Sequence, residues 1–294
     1  MTTTVPERRP TPTAGTVAGP SAIGAVVLAA GFHYLGPSFA VLLFAHVPAL
    51  GVAWLRLASA AAVLALWRRP WRVLRRATPG ERRTMLALGM VLAGMNAAFY
   101  LALDRAPLAT VASIEFLGVV ALAAYGVRSR RNLTALGLSC AGVVLLTEVR
   151  IDGSGAGLAW AAVNCLGFVL YVVLGHRIAG EGGVDRLSVA VVVAALAATP
   201  NGVVQAAPAF THPAWLGWGI GVGVCSTVIP YVADQWAMAR LPRASYALML
   251  ALLPVTATLC GLLILGQVPA RQELVGIALV GAAVALHRPR DVRS

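Results

Sequence analysis

The chain has 294 residues, of which 59% are hydrophobic and 12% charged, against roughly 25% charged in soluble domains. Its mean hydropathy is +0.80, so the composition is that of a membrane protein with no room for a sizeable soluble domain. The net charge of +12 does not indicate nucleic acid, because all 23 basic residues are arginines that fall between apolar runs and not along one amphipathic face.

Residues 1–20 are rich in Thr, Pro and Gly, carry Arg8 and Arg9, and read as a disordered cytoplasmic tail. The apolar run that follows continues from Ala22 past Leu43, too long for a signal peptide, and Arg8-Arg9-Pro10-Thr11 lacks the rest of a twin-arginine signal. A retained first helix is expected. About 20 apolar residues cross a bilayer as a helix, and on that measure the chain predicts ten spans. They fall at 22–44, 47–67, 84–104, 107–127, 132–148, 155–176, 186–205, 214–236, 242–266 and 270–287. The fifth is short, and the seventh weakens at Pro200-Asn201-Gly202. Pro37 and Pro254 fall inside spans, where a missing backbone hydrogen bond can bend the helix, as a gate or as a static kink. Cys140, Cys165, Cys225 and Cys260 lie one to a run, without metal or redox spacing, and read as packing residues.

Loops rich in arginine stay in the cytoplasm. The N-terminal segment, the alternate connections and the C-terminal segment hold nineteen arginines, seven of them between the second and third spans. The intervening connections hold only Arg105, Arg150 and Arg271. This asymmetry predicts a multi-pass protein of the bacterial inner membrane with both termini cytoplasmic.

Internal similarity divides the chain. Tyr100 to Ala109 matches Gln235 to Ala244 at an offset of 135, with Ala102/Ala237, Arg105/Arg240, Pro107/Pro242 and Ala109/Ala244 identical. Gly137 and Gly142 match Gly276 and Gly281 at an offset of 139. The expected fold is therefore an all-α integral membrane protein, ten transmembrane helices arranged as two inverted five-helix repeats, 21–148 and 149–288, with a short tail at 289–294. Five spans per repeat is odd, so the halves enter the membrane from opposite sides and a central site falls between them. The glycine pairs of the fifth and tenth spans, and Gly217, Gly219, Gly221 and Gly223 in the eighth, have the small-residue spacing that lets helices approach closely.

Tyr100 to Gly118, with Pro107-Leu108-Ala109 followed by Ile114-Glu115-Phe116-Leu117-Gly118, and Pro254 to Gln267 resemble the drug/metabolite transporter superfamily, in particular its EamA-type ten-helix carriers. Glu115-Phe116 after Pro107-Leu108, together with Gly36 to Phe44 and Leu55-Arg56-Leu57, is most similar to the threonine and homoserine exporters. Departures are Val119 where the pattern usually has Pro, no Lys near Val41, and Gln267 where an acid often closes the ninth span. The resemblance implies a secondary carrier exporting a small polar metabolite by alternating access, with proton coupling as a candidate drive.

Ionisable groups inside spans cost roughly 2.5–3.5 kcal/mol each and demand a partner or a wet cavity. Glu115 lies about 12 Å into the fourth span at 1.5 Å per residue. It suits a substrate ammonium or a coupling proton; the alternative is a structural ion pair with Arg56, which could itself grip a carboxylate. His33, Tyr34, Asn96, Tyr100, Asn164, Tyr171, Tyr231 and Gln235 are the other polar groups in or near apolar spans and complete the expected substrate or proton pathway. Asp234, nearer the cytoplasmic end of its span, is expected to be solvated or paired with Arg240, and His46 to sit at the outer interface. Expected partners are a small polar metabolite and the bilayer, with a homodimer also compatible; no nucleic acid, cofactor or metal is expected. An intramembrane enzyme would need His33 to activate Ser38 or Ser113, neither of which lies in a nucleophile motif. A non-transporting receptor is disfavoured by the short loops.

Overall fold

The computed structural model describes residues 20–126, 130–147, 154–250, 252–268 and 270–286. Apart from Pro20 the two expected tails lie outside these residues, as do Arg128, Arg150, Arg288, Arg290 and Arg293. Among the described residues the chain is helical and contains no strand. The helices are α1 (Pro20–Leu43), α2 (Ala49–Arg68), α3 (Pro70–Arg76), α4 (Pro79–Leu103), α5 (Leu108–Gly126), α6 (Arg130–Thr147) and α7 (Gly155–Ile178). They continue with α8 (Gly183–Gln205), α9 (Ala207–Thr211), α10 (Pro213–Gly223), α11 (Ile229–Met238), α12 (Arg243–Met249), α13 (Leu252–Leu265) and α14 (Arg271–Leu286).

Among the described residues, seven helical stretches are long and apolar enough to cross a bilayer: those within α1, α2, α4, α7 and α8, the continuous Pro213–Met238, and Ser245–Leu265. Shorter apolar helices occupy Thr110–Val119, Leu133–Gly142 and Leu274–Ala283. The chain is thus an α-helical membrane protein. The weak end of the seventh expected span is helical after all, because α8 carries Pro200 inside it and runs on to Gln205. Neighbouring helices in a membrane bundle can compensate the hydrogen bond a proline removes.

Three local devices shape the frame. Arg69 adopts a left-handed φ of 52° and ends α2, and Pro70 starts α3 at the first position, where its missing N–H is harmless. Thr78 and Glu81 close a reciprocal capping box at the start of α4. Between α10 and α11, Val224–Val228 forms a π-helical turn. Pro230, just beyond that turn, has no N–H to offer the carbonyl of Ser226 four residues back. That carbonyl therefore lacks an i+4 donor in its own helix.

The helices pack in matched sets. α4 and α5 lie against α7, while α11 and α13 lie against α1; α4 contacts α8, while α10 contacts α2. α2 packs on α8, and α6 on α14. Gly137, Gly142, Gly276 and Gly281 were expected to let these helices approach each other or equivalent neighbours closely, but Gly137 and Gly281 are exposed, with open space where a Cβ would go. Gly142 and Gly276 are buried. In α10 only alternate glycines make close contacts, because residues four apart share a face: Gly219 meets Leu55 and Gly223 meets Arg56 and Ser59 of α2, while Gly217 and Gly221 face open space. At Gly36 a Cβ would collide with Ser226, so α1 touches the π-helical turn only because that position has no side chain.

Candidate functional site

Those two close approaches bring α1, α2 and the π-helical turn together at the centre of the bundle. Arg56 of α2 is 4% exposed. Its Nη2 donates to the Ser226 carbonyl at 2.7 Å and its Nε donates to Thr227 Oγ1 at 2.7 Å. Its guanidinium lies 5.6 Å from the centroid of the Tyr100 ring, whose negative face adds attraction. A carbonyl without its i+4 donor in one helix therefore meets a charge carried by another.

The buried carboxylates have their own partners. Glu115 Oε2 accepts from the Tyr34 hydroxyl at 3.3 Å and from Asn164 Nδ2 at 3.0 Å. Asp234 Oδ2 accepts from His33 Nε2 at 2.9 Å and from the Tyr171 hydroxyl at 2.8 Å. The expected Glu115–Arg56 ion pair is absent among the described residues, and the buried carboxyl that meets a basic side chain is Asp234, on His33. Glu115 and Arg56 nonetheless face the same small cavity, about 20 Å³ in volume, room for about one water molecule.

The cavity is lined by His33, Tyr34, Arg56, Asn96, Glu115, Asn164 and Tyr231, with Met95, Phe99 and Phe168 as apolar wall. Asn96 Oδ1 and the Tyr231 hydroxyl are buried without a close hydrogen-bond partner among the described residues. Two of the sequence-predicted residues stand just behind it. Tyr100 lies beneath Arg56, and Tyr171 stacks on Tyr231 with ring centroids 5.2 Å apart while holding Asp234. Gln235 does not line the cavity; its Nε2 points to Met238 Sδ at 3.8 Å. His46 is exposed and stacks on Trp215 at 4.4 Å.

Asp234 corrects the expectation of a solvated or Arg240-paired group. It is fully buried, and Arg240 instead donates to the Trp236 carbonyl and lies 3.6 Å from the Trp236 ring centroid. A signal was present in the sequence, since Tyr231, Asp234, Gln235 and Met238 recur at helical spacing and all four are buried. The apolar wall carried no such signal, because Met95, Phe99 and Phe168 look like any lipid-facing residue in a hydrophobic run. Ser38 donates to the Tyr34 carbonyl of its own helix, while His33 bonds Asp234.

Chemically, the cavity offers a fixed cation, Arg56, and one hydrogen-bonded carboxyl group, Glu115, together with the polar side chains of His33, Tyr34, Asn96, Asn164 and Tyr231. It is smaller than any organic solute that could use all of these groups. Binding such a solute requires the surrounding helices to separate.

The sequence profile of the EamA-like transporter family matches residues 155–287. The chain is 32% identical over 253 residues to the threonine/homoserine exporter RhtA of Salmonella typhimurium strain SL1344, covering 84% of each chain. It is 30% identical to the threonine/homoserine exporter RhtA of Escherichia coli strain K12 over the same length and coverage. A solved crystal structure with 19% sequence identity superposes with a TM-score of 0.70, covering 90% of this chain and 96% of the other, and shares the fold. Sequence identity at this coverage, on a frame of apolar helices around a central polar cavity, shows that the chain belongs to the EamA-like transporter family and is a transporter, not an enzyme.

Proposed function

We propose that the protein is a secondary carrier that exports a small amino acid across the inner membrane by alternating access, with threonine-like or homoserine-like solutes as the first candidates. The observation that carries this reading is the unpaired presentation of Arg56 and Glu115 to one cavity. An α-amino acid carries a carboxylate and an ammonium on the same carbon, and Arg56 and Glu115 offer the complementary charges. The relatives are exporters of threonine and homoserine, which supports the same class of solute and the outward direction.

The ten-span, two-repeat architecture belongs to this proposal. It draws support from the packing, in which exchanging α1, α2, α4, α5 and α6 for α7, α8, α10–α11, α12–α13 and α14 turns one set of helix contacts into the other. Glu115 and Arg56 come from the first half, while Asn164, Ser226, Thr227 and Asp234 come from the second, so movement between halves would make and break the site. His33–Asp234 also joins the halves and is a candidate path for a coupling proton.

The test is efflux from proteoliposomes loaded with labelled threonine or homoserine, with and without an imposed proton gradient. Export that accelerates with the gradient and competes with unlabelled amino acid supports the reading. Absence of flux for every amino acid tried, from folded protein, would overturn it.

A further inference from the structure

We propose that the molecule carries a second binding site, for the phosphate headgroup of an anionic phospholipid, in a basic pocket between α3 and the starts of α4 and α8. The pocket has a volume of about 350 Å³ and is lined by Arg68, Arg72, Arg76 and Arg186 against Glu81 and Asp185, with Val73, Ala77 and Gly182 completing it. Four guanidinium groups against two carboxylates leave an excess of positive charge.

The carboxylates position part of this cluster without neutralising it. Asp185 holds Arg68 at 3.3 Å, and Glu81 holds Arg186 at 3.0 Å. Arg186 is further fixed by donating to the Glu181 carbonyl at 2.9 Å. Arg72 and Arg76 have no carboxylate partner among the described residues. The short helix that bears them is tied down by Arg82, which donates to the carbonyls of Leu74 and Arg75 at 3.1 and 3.2 Å. The backbone that carries two unpaired arginines is thus fixed beside two pinned guanidinium groups, an arrangement suited to the several oxygens of a phosphodiester.

Lipid is the source of phosphate favoured by the surroundings. Leu66, Trp67, Trp71 and Leu74 are exposed around the same helix ends, at 82%, 55%, 50% and 36%, and exposed tryptophans mark the headgroup level of a bilayer. Trp67 also lines a separate apolar groove of about 540 Å³, formed with Leu28, Val232 and Trp236 among others. The Arg68 guanidinium lies 4.4 Å from the Trp67 ring centroid, so the charged pocket and the apolar groove meet at adjacent residues. A phospholipid can place its phosphate in the first and an acyl chain along the second.

The experiment compares purified protein with the double variant R72Q/R76Q and with R75Q/R83Q, which removes the same charge outside the pocket. The R72Q/R76Q change leaves both salt bridges intact, so the fold should persist, checked by monodispersity. Each protein is equilibrated in mixed phosphatidylglycerol and phosphatidylcholine, and retained lipid is read by native mass spectrometry. The expected result is phosphatidylglycerol enrichment that falls about tenfold or more in R72Q/R76Q and is kept in R75Q/R83Q, from the contribution of each surface arginine to anionic-lipid binding. Unchanged enrichment in R72Q/R76Q, or an equal fall in both variants, overturns the proposal. A rise in melting temperature with inorganic phosphate equal to that with phosphatidylglycerol overturns the lipid assignment.

Discussion

Replacing Glu115 by glutamine separates a role in transport from a role in holding the bundle together. Glu115 Oε2 accepts both of its hydrogen bonds, and the amide oxygen of glutamine can take that place with no change of shape. Two charge-assisted bonds become neutral ones; hydrogen bonds to charged groups contribute about 1.5–3 kcal/mol and neutral ones about 1. The loss is therefore about 1–4 kcal/mol, offset by removal of the penalty for burying a charge. Arg56 keeps its bonds to Ser226 and Thr227, so the substitution strands no cation. Folded yield and melting temperature should change little. A bound ammonium, in contrast, would lose its counter-charge in a water-poor site, a loss of about 3–5 kcal/mol, or more than a hundredfold in transport efficiency. The assay is yield, melting temperature and initial efflux rate at several internal amino-acid concentrations in proteoliposomes. Wild-type flux and concentration dependence from well-folded E115Q would refute a substrate role. A collapse in yield would refute the claim that Arg56 is satisfied independently of Glu115.

Other outcomes follow from the same geometry. Asp234→Ala leaves the His33 ring and the Tyr171 hydroxyl without their shared acceptor; each buried orphan costs about 1–3 kcal/mol, so thermal unfolding should move to clearly lower temperature. Gly36→Ala should lower folded yield through its collision with Ser226, an overpacking cost of about 1–3 kcal/mol, while Gly281→Ala, facing open space, should match wild type in the same expression test. For the proposed orientation, reporter fusions after Arg76 and at Ser294 should both read cytoplasm, and a periplasmic signal from either contradicts the arrangement with both ends inside.

The sequence by itself determined that the chain crosses membranes as helices, because hydrocarbon leaves a backbone few ways to satisfy its polar groups and the apolar runs are long. It also exposed Glu115 and Arg56, since a charge inside an apolar run stands out without any knowledge of its neighbours. Helix rotation and long-range contact lay beyond it. Those are decided by packing, and they turned Arg56 toward a carbonyl 170 residues away and brought His33 to Asp234, 201 residues away. Asp234 illustrates the limit: linear distance to Arg240 suggested a surface pair, whereas the helical face it shares with Tyr231 buries it. The glycines divide in the same way, for spacing marks which of them share a face but not which face meets a neighbour. Only the tertiary structure joined the carbonyl that Pro230 leaves without an i+4 donor to a buried guanidinium, because the carbonyl and the charge belong to different helices and meet only when the bundle is packed.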